Sequence, residues 1–183
     1  MKSLSLNQPH AIVMVGIPGS GKSTFAEKFS HTFNAPFVDI EQIIPRARDN
    51  AAADEIMLAQ LQEIMRTKSS IVIEADASSR VRRTELARFL REHHYQPLFV
   101  WVQTDAETAK QRSAKQKKIH PDNFGDALKR FSMPHSSEKA IVISGKHTYA
   151  SQAKIVLKHL SAERTAQAIE SPAPSRASRI TIQ

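Results

Sequence analysis

The sequence predicts an α/β fold, a five-stranded parallel sheet between two layers of helices. Three observations carry that expectation. Five short β-rich apolar runs end in turn residues, the stretches between them show helical recurrence, and a glycine-rich turn joins the first run to the first helix. At 183 residues the chain has room for one compact domain and a tail.

The first strand is Ala11 to Val15, a continuous apolar run bounded by Gly16, as a strand buried on both faces should be. A helix follows with Phe25, Ala26 and Phe29 on one face, then a short strand from Ala35 to Val38 closed by Asp39. Ile56, Leu58, Ala59, Leu61, Ile64 and Met65 recur at helical spacing. Ser70 to Glu74 is the third strand, and its polar exit through Asp76 to Ser79 caps a helix from Arg80 to about His93, with Val81, Leu86, Phe89 and Leu90 inward. Pro97 to Val102 is the fourth strand. Thr104-Asp105 caps a basic helix ending near Lys118, and Phe124 to Phe131 forms a shorter one. Ala140 to Ile143 is the fifth strand and Ser151 to Leu160 the last core helix. The folded domain is therefore expected over 1–160. Residues 161–183, rich in Ser, Ala and Pro towards the end, are expected to form a disordered tail.

Composition narrows the chemistry. The chain has no Cys, which excludes a disulfide framework, a Cys-ligated metal and a Cys nucleophile. No apolar run approaches the roughly 18–20 residues of a membrane span, so a cytoplasmic protein with no membrane partner is expected. The formal charge of +8 favours anionic partners: nucleotides, phosphorylated substrates or nucleic acid.

Gly16-Ile17-Pro18-Gly19-Ser20-Gly21-Lys22-Ser23 matches the phosphate-loop pattern G-x-x-x-x-G-K-[ST], with Thr24 next. A chance match arises in about one chain in a hundred of this size, and this one stands between a predicted strand and a predicted helix, as its chemistry requires. The glycines let backbone N–H groups converge on an anion and the helix adds its positive end. Lys22 can reach the β- and γ-phosphates and the Ser23 hydroxyl can ligate Mg²⁺. The expected fold is thus a three-layer P-loop NTPase sandwich that binds a nucleoside triphosphate with Mg²⁺. The sequence contains no Asn-Lys-x-Asp guanine reader, and the chain is short for a motor ATPase with its own lid domain.

Several segments, taken in order, resemble the small P-loop kinases of the AAA_33 branch, which includes polynucleotide 5′-kinases. They are Val15 to Ala26, Val38-Asp39, Ile71 to Asp76 followed by Arg82-Arg83, and Phe99 to Gln103 followed by Ala106 to Arg112. The resemblance implies a nucleoside- and nucleotide-kinase-like sheet with a short helical lid over about 105–131. It implies ATP and Mg²⁺ as cofactors and transfer of the γ-phosphate to a substrate hydroxyl. Asp39 would accept the hydroxyl's proton, though Asp is also a favoured helix N-cap. Glu74 or Asp76 would support the metal beside Ser23. Arg112 would be the lid arginine, joining Lys22 and Asp39 in catalysis and the phosphate loop in nucleotide binding. Lys115 or Lys117 stands where a second lid arginine is often found.

Arg82 and Arg83 are the best candidates to meet the substrate, from a basic helix that also holds Arg80, Arg88 and Arg91. Gln42 occupies a position where this branch often carries an arginine. The preferred acceptor is a nucleic-acid 5′-hydroxyl. A small metabolite, nucleoside or antibiotic hydroxyl is the alternative, as is a regulatory ATPase that transfers nothing.

Overall fold

The computed structural model describes residues 8–116 and 121–170. Its five strands are β1 (His10–Val15), β2 (Phe37–Asp39), β3 (Ile71–Glu74), β4 (Gln96–Gln103) and β5 (Ile141–Ser144). They form one all-parallel sheet in the order β2-β3-β1-β4-β5. Seven helices accompany them: α1 (Lys22–Phe33), α2 (Ile40–Ile43), α3 (Asn50–Met65), α4 (Arg80–Glu92), α5 (Ala106–Gln116), α6 (Pro121–Arg130) and α7 (Tyr149–Glu170).

The pleat of β1 explains the three layers. Ala11, Val13 and Val15 point into one core with α3 and α4, while Ile12 and Met14 point into the other with α1 and α7. All six residues of the strand are buried, and the five after His10 are apolar. Helix α3 meets the first core through Ala53, Met57, Leu61 and Met65, spaced by four. Helix α1 meets the second through Phe25, Ala26 and Phe29. Each fully buried Leu, Ile or Phe contributes about 1.5–3 kcal/mol over its exposed state.

The five strands and the α/β order follow the sequence expectation. Three details differ. Ile56 is 47% exposed and Val81 66% exposed, so neither belongs to a buried helix face. In α4 the buried position beside Leu86, Ala87 and Leu90 is Arg83. The last helix runs to Glu170 rather than ending at Leu160. Residues 161–170 hold neither Gly nor Pro and include three alanines, so nothing local stops the helix before Pro172. The expected tail beyond Glu170, and the lid residues Lys117 and Lys118, lie outside the described residues.

Strand order reverses about β1, with β3 on one side and β4 on the other. In open parallel sheets the crevice outside the strand ends at such a point is where ligands bind. Gly16 to Gly21 leaves β1 there, and Asp39, Glu74 and Gln103 end their strands along the same edge.

Candidate active site

The phosphate loop takes its shape from backbone conformations that only glycine adopts freely. Gly19 has φ +76°, and a Cβ on it would fall within contact distance of the Ala109 carbonyl oxygen of α5. Gly21, at φ +107°, is the N-cap of α1, and no side-chain hydrogen bond caps that end. The positive end of α1 thus faces the loop's concavity.

Three side chains converge beneath the loop. Ser23 Oγ donates to Glu74 Oε1 at 3.2 Å, and Lys22 Nζ lies 3.7 Å from the same oxygen. Lys22 Nζ also donates to the Ile17 carbonyl at 3.2 Å. Glu74 is 2% exposed, and its Oε2 is buried without a hydrogen-bond partner. Burial pushes the Glu74 carboxyl above its ordinary pKa; the Lys22 charge opposes this, Glu41 adds to it, the Ser23 hydrogen bond opposes it and Asp39 adds to it. An orphaned carboxylate oxygen beside a hydroxyl is a hard-oxygen donor set suited to Mg²⁺. Ser23 and Glu74 fit the expected metal shell.

Asp76, the other acidic candidate, is engaged elsewhere. It accepts from Ser78 N at 3.2 Å and Ser78 Oγ at 2.6 Å, and Arg82 Nε lies 3.6 Å from its Oδ2. The strand register puts Asp39 opposite Glu74. Its Oδ1 accepts the Glu41 N–H at 2.9 Å, which makes Asp39 the N-cap of α2.

Two cavities flank Lys22. The first, about 450 Å³, runs from the phosphate loop to the loop after β5 and includes Arg112, Gly145 and His147 in its lining. Arg112 Nη1 donates to the Gly145 carbonyl at 2.9 Å, so the guanidinium spans this cavity from α5. Thr104 Oγ1 ties the phosphate loop to the end of β4 by donating to Ser20 O at 3.0 Å. The second cavity, about 380 Å³, lies between α2, α3 and α6; Ile40, Ile44, Phe131, Asp54 and Arg82 are among its walls. Pro18, Lys22, Glu41 and Glu74 line both. Glu41 was not among the residues expected from sequence; the available signal was its place two residues after Asp39, in the first turn of a helix at a strand end.

The two candidate substrate arginines part company. Arg82 sits at the second cavity, its Nη1 3.3 Å from Asp54 Oδ2. Arg83 is fully buried. Its Nε and Nη2 bond both oxygens of Glu138, and its Nη1 donates to the carbonyls of Ala77 and Ser132. A guanidinium so enclosed cannot meet a substrate, which corrects the expectation for Arg83.

Helices α5 and α6 pack directly on the phosphate loop: Ile17, Ala109 of α5 and Phe124 of α6 form a small separate apolar cluster, with Phe131 against it. Among the described residues no group of three or more His, Asp or Glu is placed to hold a metal by itself, and no helix is long and apolar enough to cross a membrane.

The AAA_33 family, described as an AAA domain, matches residues 12–132. No curated protein matches the chain in sequence. Among solved structures, a gluconokinase from Sinorhizobium meliloti 1021 is similar with a TM-score of 0.68 at 17% identity, over 89% of this chain and 98% of that one. Kti12 from Chaetomium thermophilum, in complex with ADP-AlF3, is similar with a TM-score of 0.63 at 15% identity, over 83% of this chain and 98% of that one. A chain of the Pnkp1/Rnl/Hen1 RNA repair complex is similar with a TM-score of 0.61 at 19% identity, over 74% of this chain and 47% of that one. The shared feature is the kinase-like P-loop fold.

Proposed function

Since the chain belongs to the AAA_33 family of AAA domains, we propose that it is an ATP-dependent phosphotransferase acting on a substrate hydroxyl. The observation that carries this reading is the shared wall of two cavities, in which Lys22, Glu41 and Glu74 face a nucleotide site on one side and an acceptor site on the other.

Lys22 and the backbone of the phosphate loop hold the triphosphate, and Arg112 closes over it from the lid. Mg²⁺, held through Ser23 and Glu74, would neutralise phosphate charge when bound. Glu41 orients the acceptor hydroxyl and takes its proton as that oxygen attacks the γ-phosphorus. The bond from phosphorus to the β,γ-bridging oxygen breaks, and ADP leaves with the electron pair. Asp39 holds the first turn of α2, and so Glu41, and adds negative charge beside Glu74. The direct proton-accepting role that the family resemblance gives Asp39 is the competing assignment.

The acceptor we favour is a small molecule. The second cavity is of small-molecule size, and Arg83 is withdrawn from any basic track. The charge of +8 is the observation that favours a nucleic-acid 5′-hydroxyl instead.

The test is transfer of label from [γ-³²P]ATP with Mg²⁺ to a panel of small alcohols, nucleosides and a 5′-hydroxyl oligonucleotide. We expect label on a small alcohol, lost about hundredfold in Glu41→Gln with nucleotide affinity kept. A larger loss in Asp39→Asn than in Glu41→Gln would return the proton to Asp39. Label on the oligonucleotide would assign the nucleic-acid acceptor. Free phosphate alone, unchanged in Glu41→Gln, would refute phosphotransfer.

A further inference from the structure

A groove of about 320 Å³ lies between α3 and α4, floored by Met57, Leu58, Leu86 and Phe89. It adjoins the acceptor cavity: Asp54, Ala75, Asp76 and Arg82 line both. The partition is the Arg82 side chain, half-exposed and held between Asp54 at 3.3 Å and Asp76 at 3.6 Å. Exposed ion pairs of this kind hold weakly, so the side chain is free to swing aside.

The electrostatics of this region run against the rest of the protein. Asp54, Asp76, Glu85 and Glu92 line the groove against Arg82 and Arg88 only, in a chain of formal charge +8. In the acceptor cavity, with Glu74 given to the metal, Glu41, Asp54 and Asp76 balance Lys22, Arg82 and Arg130, so the excess of carboxylates lies along the groove. The groove rim disfavours an anionic tail, whereas an apolar body with a neutral or cationic end finds both a floor and a complementary rim.

We infer that the cavity and the groove form one elongated acceptor site, taking an amphipathic alcohol that is neutral or cationic. Its hydroxyl lies at Lys22 and Glu41, its apolar body passes beneath Arg82, and its far end reaches Glu85 and Glu92. This rests on the phosphotransferase reading for the role of the hydroxyl end, but the binding itself is measured separately.

The experiment is calorimetric titration of the full chain, loaded with ADP and Mg²⁺, with 12-hydroxydodecyltrimethylammonium, 1,12-dodecanediol and 12-hydroxydodecanoate, alongside four-carbon counterparts. We expect the twelve-carbon cation and diol to bind at least tenfold more tightly than the carboxylate and than their short counterparts. Leu58→Arg, which fills the groove, abolishes the length dependence. Glu85→Lys with Glu92→Lys, both on the surface, narrows or reverses the charge preference without disturbing the core. Equal binding of the carboxylate, indifference to chain length, or no binding of any probe would overturn the inference. Label transfer then separates the two claims. Binding with the expected preferences, together with free phosphate alone across the acceptor panel, refutes phosphotransfer and keeps the site; transfer to four-carbon alcohols with no gain from length does the reverse.

Discussion

Arg83 and Glu138, 55 positions apart, meet as a two-pronged ion pair beneath α4, Nε to Oε2 at 2.6 Å and Nη2 to Oε1 at 3.1 Å. The same guanidinium bonds two backbone carbonyls, so it locks the segment after α6 to the start of α4. Glu138→Gln leaves a buried cation without its counter-charge and should cost about 3 kcal/mol. Denaturant unfolding with and without nucleotide checks this: midpoints fall in both, while the stabilisation by nucleotide is unchanged.

The same pair sets an acid limit. Burial raises the Glu138 carboxyl, but the hydrogen bonds from Arg83 and the His135 N–H, with the charges of Arg83 and Arg80, outweigh it and hold the pKa below its ordinary value. A carboxyl lowered on folding contributes stability above its unfolded pKa of 4.5 and loses it as pH falls through the folded value. Wild-type stability should therefore drop more steeply below pH 4.5 than that of Glu138→Gln, read by thermal unfolding across pH 3–6.

Gly19→Ala forces a side chain into a left-handed conformation and against the Ala109 carbonyl at once. The backbone strain alone costs about 1–3 kcal/mol. Relief requires the loop and α5 to separate. Nucleotide affinity should fall at least tenfold, measured by fluorescent-ATP titration, with a modest loss of thermal stability.

Arg112→Lys keeps the charge but not the planar fork that bonds the Gly145 carbonyl. Turnover should fall about tenfold in Arg112→Lys and about hundredfold in Arg112→Ala, with a smaller rise in the KM for ATP. Steady-state kinetics separates the two parameters.

Glu74→Gln removes the buried acidic partner of Ser23 while keeping its shape. The Mg²⁺ concentration for half-maximal activity should rise at least tenfold. Nucleotide binding without Mg²⁺ should change little, as titration with and without the metal will show.

What could be read in the sequence was whatever depends on short spacing. The phosphate loop is eight contiguous residues whose chemistry needs that order, and the five strands are runs of β-formers with abrupt ends. The burial of Arg83 is not legible locally because it depends on Glu138, a partner supplied from far along the chain. Helical position alone placed Val81 inward and Arg83 with the exposed arginines. Glu41 is hidden for a related reason: Asp39 is the N-cap and Glu41 lies in the first turn of α2, and only the packing of α3 and α6 decides which of the two faces a cavity. Glu74 and Asp76 could not be separated without knowing that Ser78 and Arg82 engage one of them.

The apolar cluster of Ile17, Ala109 and Phe124 stands apart from the two large cores. Separating its few side chains would cost roughly 2–3 kcal/mol, the burial of one or two of them. The hydrogen bond from Arg112 to the Gly145 carbonyl must break as well, so any opening of α5 and α6 is local and leaves the sheet undisturbed. On the phosphotransferase reading, spent nucleotide would escape through this local opening, and the tempo of turnover would be set by these apolar contacts together with the Arg112 hydrogen bond. Enlarging that cluster would slow product release before it altered the chemistry.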